Sequence, residues 1–359
     1  MAAVVLGRSI TAMEEVYGSG SRARVAMVLA NVSEAAQQLL TQSGWTVHQV
    51  EPIDPPVPPG KWVAYASPDR DLTVEYGKLH AWSLPYERAI ILDADGLAKG
   101  SLDALFKKRY FKYQVNGRYE RSADRIMCAA LLAIRPSAHF AAELLDWARA
   151  AGKHSGTALQ GLLNQRYHAE WANRPDNERI PMDAHYGVAA CASSTSTAAR
   201  VLKDVQKATI LDFQGQTKPW GWPHSVAFAS CEPLTAYAKL WAAILAMPLS
   251  HSQAVIASMI AEVDKDPVTA EAVLGLATSL ALDAVRTDAP GAREQYMLVA
   301  PYLPFGVGRT IAQALDVSPH DPALTRETES TTSTGASQGH SQAADVDEDN
   351  GDGQVKQEL

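Results

Sequence analysis

The chain alternates short apolar runs with longer amphipathic ones. Arg24-Val-Ala-Met-Val-Leu-Ala30 is a continuous apolar run of strand length, the pattern of a strand buried on both faces. Asn31 or Ser33 supplies a helix cap, and the pattern after it predicts a helix over Ala35–Gln42. Thr46–Val50 predicts a second strand, stopped by the cluster Pro52, Pro55, Pro56, Pro58 and Pro59. A helix over Leu79–Leu84 leads into a buried strand over Arg88–Leu92. Ile126–Ile134 is a further strand, halted before Pro136; helices follow at Ala141–Ala151 and Leu159–Tyr167, then a strand at Ala208–Phe213. Strands and helices in alternation predict an α/β fold with a mostly parallel sheet, whose ligands sit beyond the carboxyl ends of the strands. From Pro233 to about Val317 the pattern turns helical and alanine-rich, with helices at Tyr237–Met247, Ser252–Glu262, Ala270–Ala284 and Gly308–Leu315. No internal repeat is visible.

With 47% hydrophobic and 20% charged residues, the chain can build a sizeable core and is not disordered as a whole. Its net charge of −8 argues against a nucleic-acid binder that works by broad phosphate neutralisation. Residues 340–359 hold six acids and one lysine, so the charge is concentrated at that end. Thr325–Leu359 is rich in Ser, Thr, Gly and acid with little to bury, and predicts a disordered tail. Three scattered cysteines exclude a disulfide framework or zinc module and point to a reducing compartment. No apolar run approaches the roughly 20 residues needed for a bilayer span, and the start lacks the basic region of a signal peptide. The expected location is cytoplasmic. The terminal Lys356-Gln-Glu-Leu359 resembles an ER-retrieval address, so an ER or Golgi lumen is the alternative if the start is truncated.

Candidate chemistry begins at Asp93-Ala-Asp95, directly after a strand. In extended backbone, residues two apart face the same side, so the two carboxylates suit a hard divalent cation such as Mg²⁺ or Mn²⁺. The same three residues would also serve as an ordinary solvated turn. Their surroundings separate the readings. Lys78-Leu-His-Ala-Trp-Ser-Leu-Pro-Tyr-Glu-Arg-Ala-Ile-Ile-Leu-Asp-Ala-Asp95 resembles the signature of glycosyltransferase family 8, above all its glycogenin-like members. Ser101-Leu-Asp-Ala-Leu-Phe106, Arg135-Pro-Ser137, Gln160-Gly-Leu-Leu-Asn164, Arg179-Ile-Pro181 and Phe213-Gln-Gly-Gln-Thr-Lys-Pro-Trp220 follow in the family's order.

The resemblance covers about residues 2 to 245. It implies a nucleotide-sugar transferase sheet, Rossmann-like and of the GT-A type, over residues 1–248. A helical extension over 249–318 and an acidic tail over 319–359 would follow. It also implies a retaining hexosyltransferase using a UDP-sugar with Mn²⁺ or Mg²⁺, and a glycan or protein hydroxyl as acceptor. Neither nucleic acid nor a membrane span enters this reading, and a homodimer is left open. By position, Asp93, Asp95 and Asp212 look like metal ligands, and Lys78, Gly215 and Lys218 like donor contacts. Trp82 and Trp220 are read as packing residues.

Departures from the family pattern favour a rival reading, a nucleotide-, glycan- or partner-binding member that has lost transfer. Asp212 stands where the family has a ligating histidine. Leu159 replaces an aspartate thought to contact the sugar, which leaves Gln160 as a catalytic candidate. Met127-Cys128-Ala129-Ala130 replaces a polar stretch. Ala2–Ser9 aligns with a helix that follows a strand in the family, so the expectation is a missing first strand and a truncated start.

Overall fold

The computed structural model describes residues 1–17, 22–56, 62–63, 72–119, 127–151, 154–155, 158–181, 185–187, 203–213, 218–222 and 232–316. The acidic tail, Gly215, Cys191 and Cys231 lie outside the described residues. In chain order come α1 (Ala2–Tyr17), β1 (Val25–Leu29), α2 (Glu34–Gln42), β2 (Thr46–Val50), β3 (Trp62–Val63) and α3 (Leu72–Tyr76). A 3₁₀ helix (Gly77–Ser83) leads to β4 (Ala89–Leu92), β5 (Gly96–Ala98), β6 (Val115–Tyr119) and β7 (Met127–Ile134). Then follow α4 (Ala138–Ala151), β8 (His154–Ser155), α5 (Ala158–Ala172), β9 (His185–Gly187) and β10 (Ile210–Asp212). The last helices are α6 (Glu232–Ala246), α7 (Gln253–Lys265), α8 (Ala270–Arg286), α9 (Ala292–Val299) and α10 (Phe305–Ala314).

The expected α/β class is what forms, and its strand pairings are mixed. β1 lies parallel to β2, with Val25 opposite Thr46 and Leu29 opposite Val50. β3–β8 and β9–β10 are also parallel. β4 and β6 flank β7 antiparallel, and β5 runs antiparallel to β10. The link from β6 to β7 is too short for a parallel crossover, so these neighbours reverse direction.

β7 is buried along its whole length and separates two cores. Leu131 and Ala133 point into the larger one, with Leu6 and Ile10 of α1. Leu132 and Ile134 point into the smaller one, with Trp82, Phe140 of α4 and Leu162 of α5. This alternation gives helices on both faces of the sheet.

The last five helices continue the larger core rather than forming their own. Ile256, Ile260, Ala277, Tyr296 and Ile311 belong to the same buried cluster as Val5. Two polar devices fasten this arrangement. Arg8 of α1 is 1% exposed and donates to the carbonyls of Ile244 and Pro248, 3.0 Å each, and to that of Met247. Gln295 donates to Met247 O (3.0 Å) and Tyr296 to Ala246 O (2.8 Å). The buried carboxyl end of α6, which has no intrahelical donors of its own, is thereby satisfied. Lys99, just after β5, pairs with Asp264 of α7, and Tyr237 of α6 donates to the same carboxylate. Burial lowers the Lys99 ammonium despite that partner.

The stretch Pro267–Arg286 is long and apolar enough to cross a membrane. Its Val273, Leu274, Ala277 and Ala281 are buried in the larger core, where α8 packs on α6, and about a third of the apolar window, 33%, is buried in all.

Candidate functional site

Two backbone features place the acidic residues. Asp93 follows β4, and its N–H donates to Ala130 O of β7 at 3.0 Å, which continues the ladder past the strand's end. Asp95 precedes β5, whose Gly96 lies opposite Asp212 of β10. The β5–β10 pairing thus brings two residues 117 positions apart to one rim, as the sequence predicts, although β5 itself gave no pattern signal because it has only three residues.

Asp212 is 2% exposed and its carboxyl hydrogen-bonds Asp95. Burial first, then the charges of Asp95 and Asp93, push it up to about 8, with Lys218 offsetting part. Lys78 is paired with Asp93. Burial pulls the Lys78 ammonium down, but Asp93, helped by Glu75 and Asp95, outweighs it and holds the group above the usual lysine range. Lys218 is paired with Asp95 and also donates to Phe213 O at 2.6 Å. The rim therefore gathers three carboxyls and two ammonium groups.

Among the described residues no three His, Cys, Asp or Glu side chains form a metal-binding cluster. The expected ligand set is close together but turned to other partners: Asp93 to Lys78, Asp95 to Lys218 and Asp212 to Asp95. The donor chemistry still fits a hard divalent cation. All three donors are carboxyl oxygens, the type that a hard divalent cation takes, and binding one would require Asp212, which burial above all keeps protonated, to release its proton.

The remaining predicted residues divide. Leu159 is 1% exposed and packed in the smaller core, so its side chain is a packing group. The Oε1 of Gln160 accepts from Ala129 N–H at 3.0 Å, one residue from the carbonyl that holds Asp93. One turn on, Asn164 accepts from Met127 N–H and donates to Met127 O, both at 2.7 Å. Two amides four apart on one helix face were the signal for this strand support, and the motif reading assigned Asn164 no role. Trp82 is buried and stacked on Phe140 at 5.8 Å. Trp220 is 37% exposed and leans on Trp241 at 5.8 Å. Trp82 therefore packs as expected, while Trp220 is partly exposed, with its ring 5.9 Å from the Lys218 ammonium.

No protein-family profile matches the chain. Curated relatives do. Glycogenin-1 of Mus musculus is 26% identical over 156 residues, 43% of this chain and 44% of that protein. Glycogenin-2 of Homo sapiens is 26% identical over 160 residues, 44% of this chain and 30% of that protein. The chain thus spans less than half the length of these relatives. Likeness to solved structures is looser. The galactosyltransferase LgtC, solved with donor and acceptor sugar analogues, shares 13% identity at a TM-score of 0.43, over 66% of this chain and 91% of that one. GlyE of Streptococcus pneumoniae TIGR4, a glycosyltransferase, shares 13% at 0.41, over 73% and 61%. Over its matched residues the chain is glycogenin-like, similar to glycosyltransferase family 8, the relationship that its own motifs carry.

Proposed function

We propose that the chain is a hexosyltransferase that moves a sugar from a UDP-sugar to a hydroxyl acceptor with retention, assisted by Mn²⁺ or Mg²⁺. The observation that supports this most is the rim itself, where Lys78, Asp93, Asp95, Asp212 and Lys218, drawn from three distant segments, meet at strand ends. Asp93, Asp95 and Asp212 would hold the cation, which when bound supplies positive charge to the donor diphosphate. Lys218, released from Asp95, would meet a phosphate oxygen as a point charge. Lys78 does the same for Asp93 and the donor side of the rim. The ring of Trp220 lies 5.9 Å from the Lys218 ammonium.

Release of UDP from UDP-glucose with Mn²⁺ present tests the reading. Turnover is expected, with a loss of about a hundredfold in Asp95→Asn. No UDP release, and no UDP binding in the presence of Mn²⁺, would overturn it. Binding without turnover would support the rival, a nucleotide-binding member without transfer. That rival is favoured by one observation: in the structure Asp93 and Asp95 are paired with Lys78 and Lys218 rather than with one another.

A further inference from the structure

Three cations meet at the end of β4 that lies away from the acidic rim. β4 and β7 pair in register from Leu92–Leu131 to Ala89–Ile134. One residue further out, Arg88 and Arg135 therefore stand opposite each other across the end of the ladder. Opposite residues of an antiparallel pair point to one face. Both line one cavity of about 290 Å³, together with Glu87 and with Lys108 and Phe111 of a short 3₁₀ helix. Glu87 is the one carboxylate among these lining residues. Its side chain is 87% exposed, and its Oε1 lies 3.9 Å from Arg88 Nε. The Arg88 guanidinium also sits 5.7 Å from the centre of the Phe111 ring. Among the described residues, neither Lys108 nor Arg135 has a side-chain hydrogen bond or ion pair. Like charges directly opposite on neighbouring strands are destabilising, so the fold holds a repulsion here that an anion removes.

We propose that this cavity binds a phosphate dianion, free or as a small monoester. Three cations against one carboxylate leave a net charge of +2. A phosphate monoester, close to −2 at neutral pH, matches that charge, and a single carboxylate does not. Guanidinium forks suit phosphate oxygens, and Lys108 adds a point charge. The volume lies at the small end for ligand sites, so it takes one phosphate with a small substituent rather than a polymer. The inference is independent of sugar transfer. Arg88 and Asp93 flank β4 five residues apart, roughly 16 Å at the rise of a strand, so one phosphate does not serve both ends. Residues 340–359 carry six acids, so the full chain sets a phosphate against its own carboxylates.

The test is isothermal titration of the full chain with inorganic phosphate and with phenyl phosphate, in EDTA so that no cation bridges a phosphate to the acidic rim. At pH 7.5, a Kd below about 1 mM is expected for at least one probe, and the tighter of the two tells a free phosphate from a monoester. Arg135→Gln should weaken that probe about tenfold, the effect of losing one charge-assisted hydrogen bond. Lys108→Gln, on the exposed helix, should weaken it severalfold, and Lys218→Gln should leave it unchanged. Phenyl phosphate should bind several times more weakly at pH 5, where its second proton returns (pKa about 6) while the arginines stay charged. Benzoate, a monoanion with the same ring, should bind at least about tenfold more weakly than phenyl phosphate. The inference is overturned if the full chain binds neither phosphate. It is equally overturned if binding survives Arg135→Gln and is lost in Lys218→Gln, which places the phosphate at the acidic rim, or if benzoate binds as well as phenyl phosphate.

Discussion

Asp212 ends β10 in a buried place beside two other carboxylates, and its proton is the price of that company. With an ordinary carboxyl near 3.9 in the unfolded chain and about 8 in the fold, the native state binds the extra proton between those values. Stability from this group is full below about pH 4 and is lost as pH rises through about 8. In metal-free buffer, the wild type should lose at least about 2 kcal/mol more unfolding free energy than Asp212→Asn between pH 5 and pH 8.5, read from urea curves. Parallel curves for the two proteins would show that the carboxyl is ionised throughout. Leu159 gives the opposite kind of residue. The family pattern suggests restoring an aspartate there, but the side chain is wholly within apolar packing. Leu159→Asp should therefore cost about 3 kcal/mol or more through an unpaired buried carboxyl, and should not raise UDP release. A gain in turnover without loss of stability would place that position at the site after all.

At the scale of elements, α5 does more than cover the sheet. Gln160 and Asn164 supply the bonds that the beginning of β7 lacks, close to where the ladder register shifts at Gly117/Arg118. Asn164→Ala leaves the Met127 backbone without its partner and should lower stability by about 2 kcal/mol. The same change should lower UDP affinity only if β7 sets the position of Asp93, which isothermal titration would reveal. The strands with continuous apolar runs, β1, β4 and β7, were legible in the sequence, as were the amphipathic helices. β5, β6 and β9 were not: none is a continuous apolar run, β6 being Val-Asn-Gly-Arg-Tyr and β9 His-Tyr-Gly, and β5 has only three residues. The site was legible for a related reason. Asp93, Asp95 and Lys218 stand in motifs, whereas the lysine–aspartate pairings that now occupy them depend on side-chain geometry that no spacing encodes.

At the scale of the whole molecule, one core runs from α1 to α10. A chain ending at residue 248 would lose the partners of Val4, Ile10 and Lys99, among them Ile260 and Asp264. It should fail to fold cooperatively, shown by loss of a sharp thermal transition in circular dichroism, while residues 1–316 melt in a single step. Two independent transitions in the longer chain would mean that the helical extension is a separate unit. Lys99 and Arg8 are the buried cations of this junction. Arg8→Leu frees three carbonyl oxygens at once and should cost about 3 kcal/mol by urea unfolding.

The Arg8 clasp also sets a timetable. Its acceptors lie 236 to 240 residues further along the chain. At roughly 5–20 residues per second, a ribosome needs about 12–48 s between making the guanidinium and making the carbonyls that receive it. During that interval the apolar face of α1 and the charge of Arg8 lack the partners that cover them in the fold.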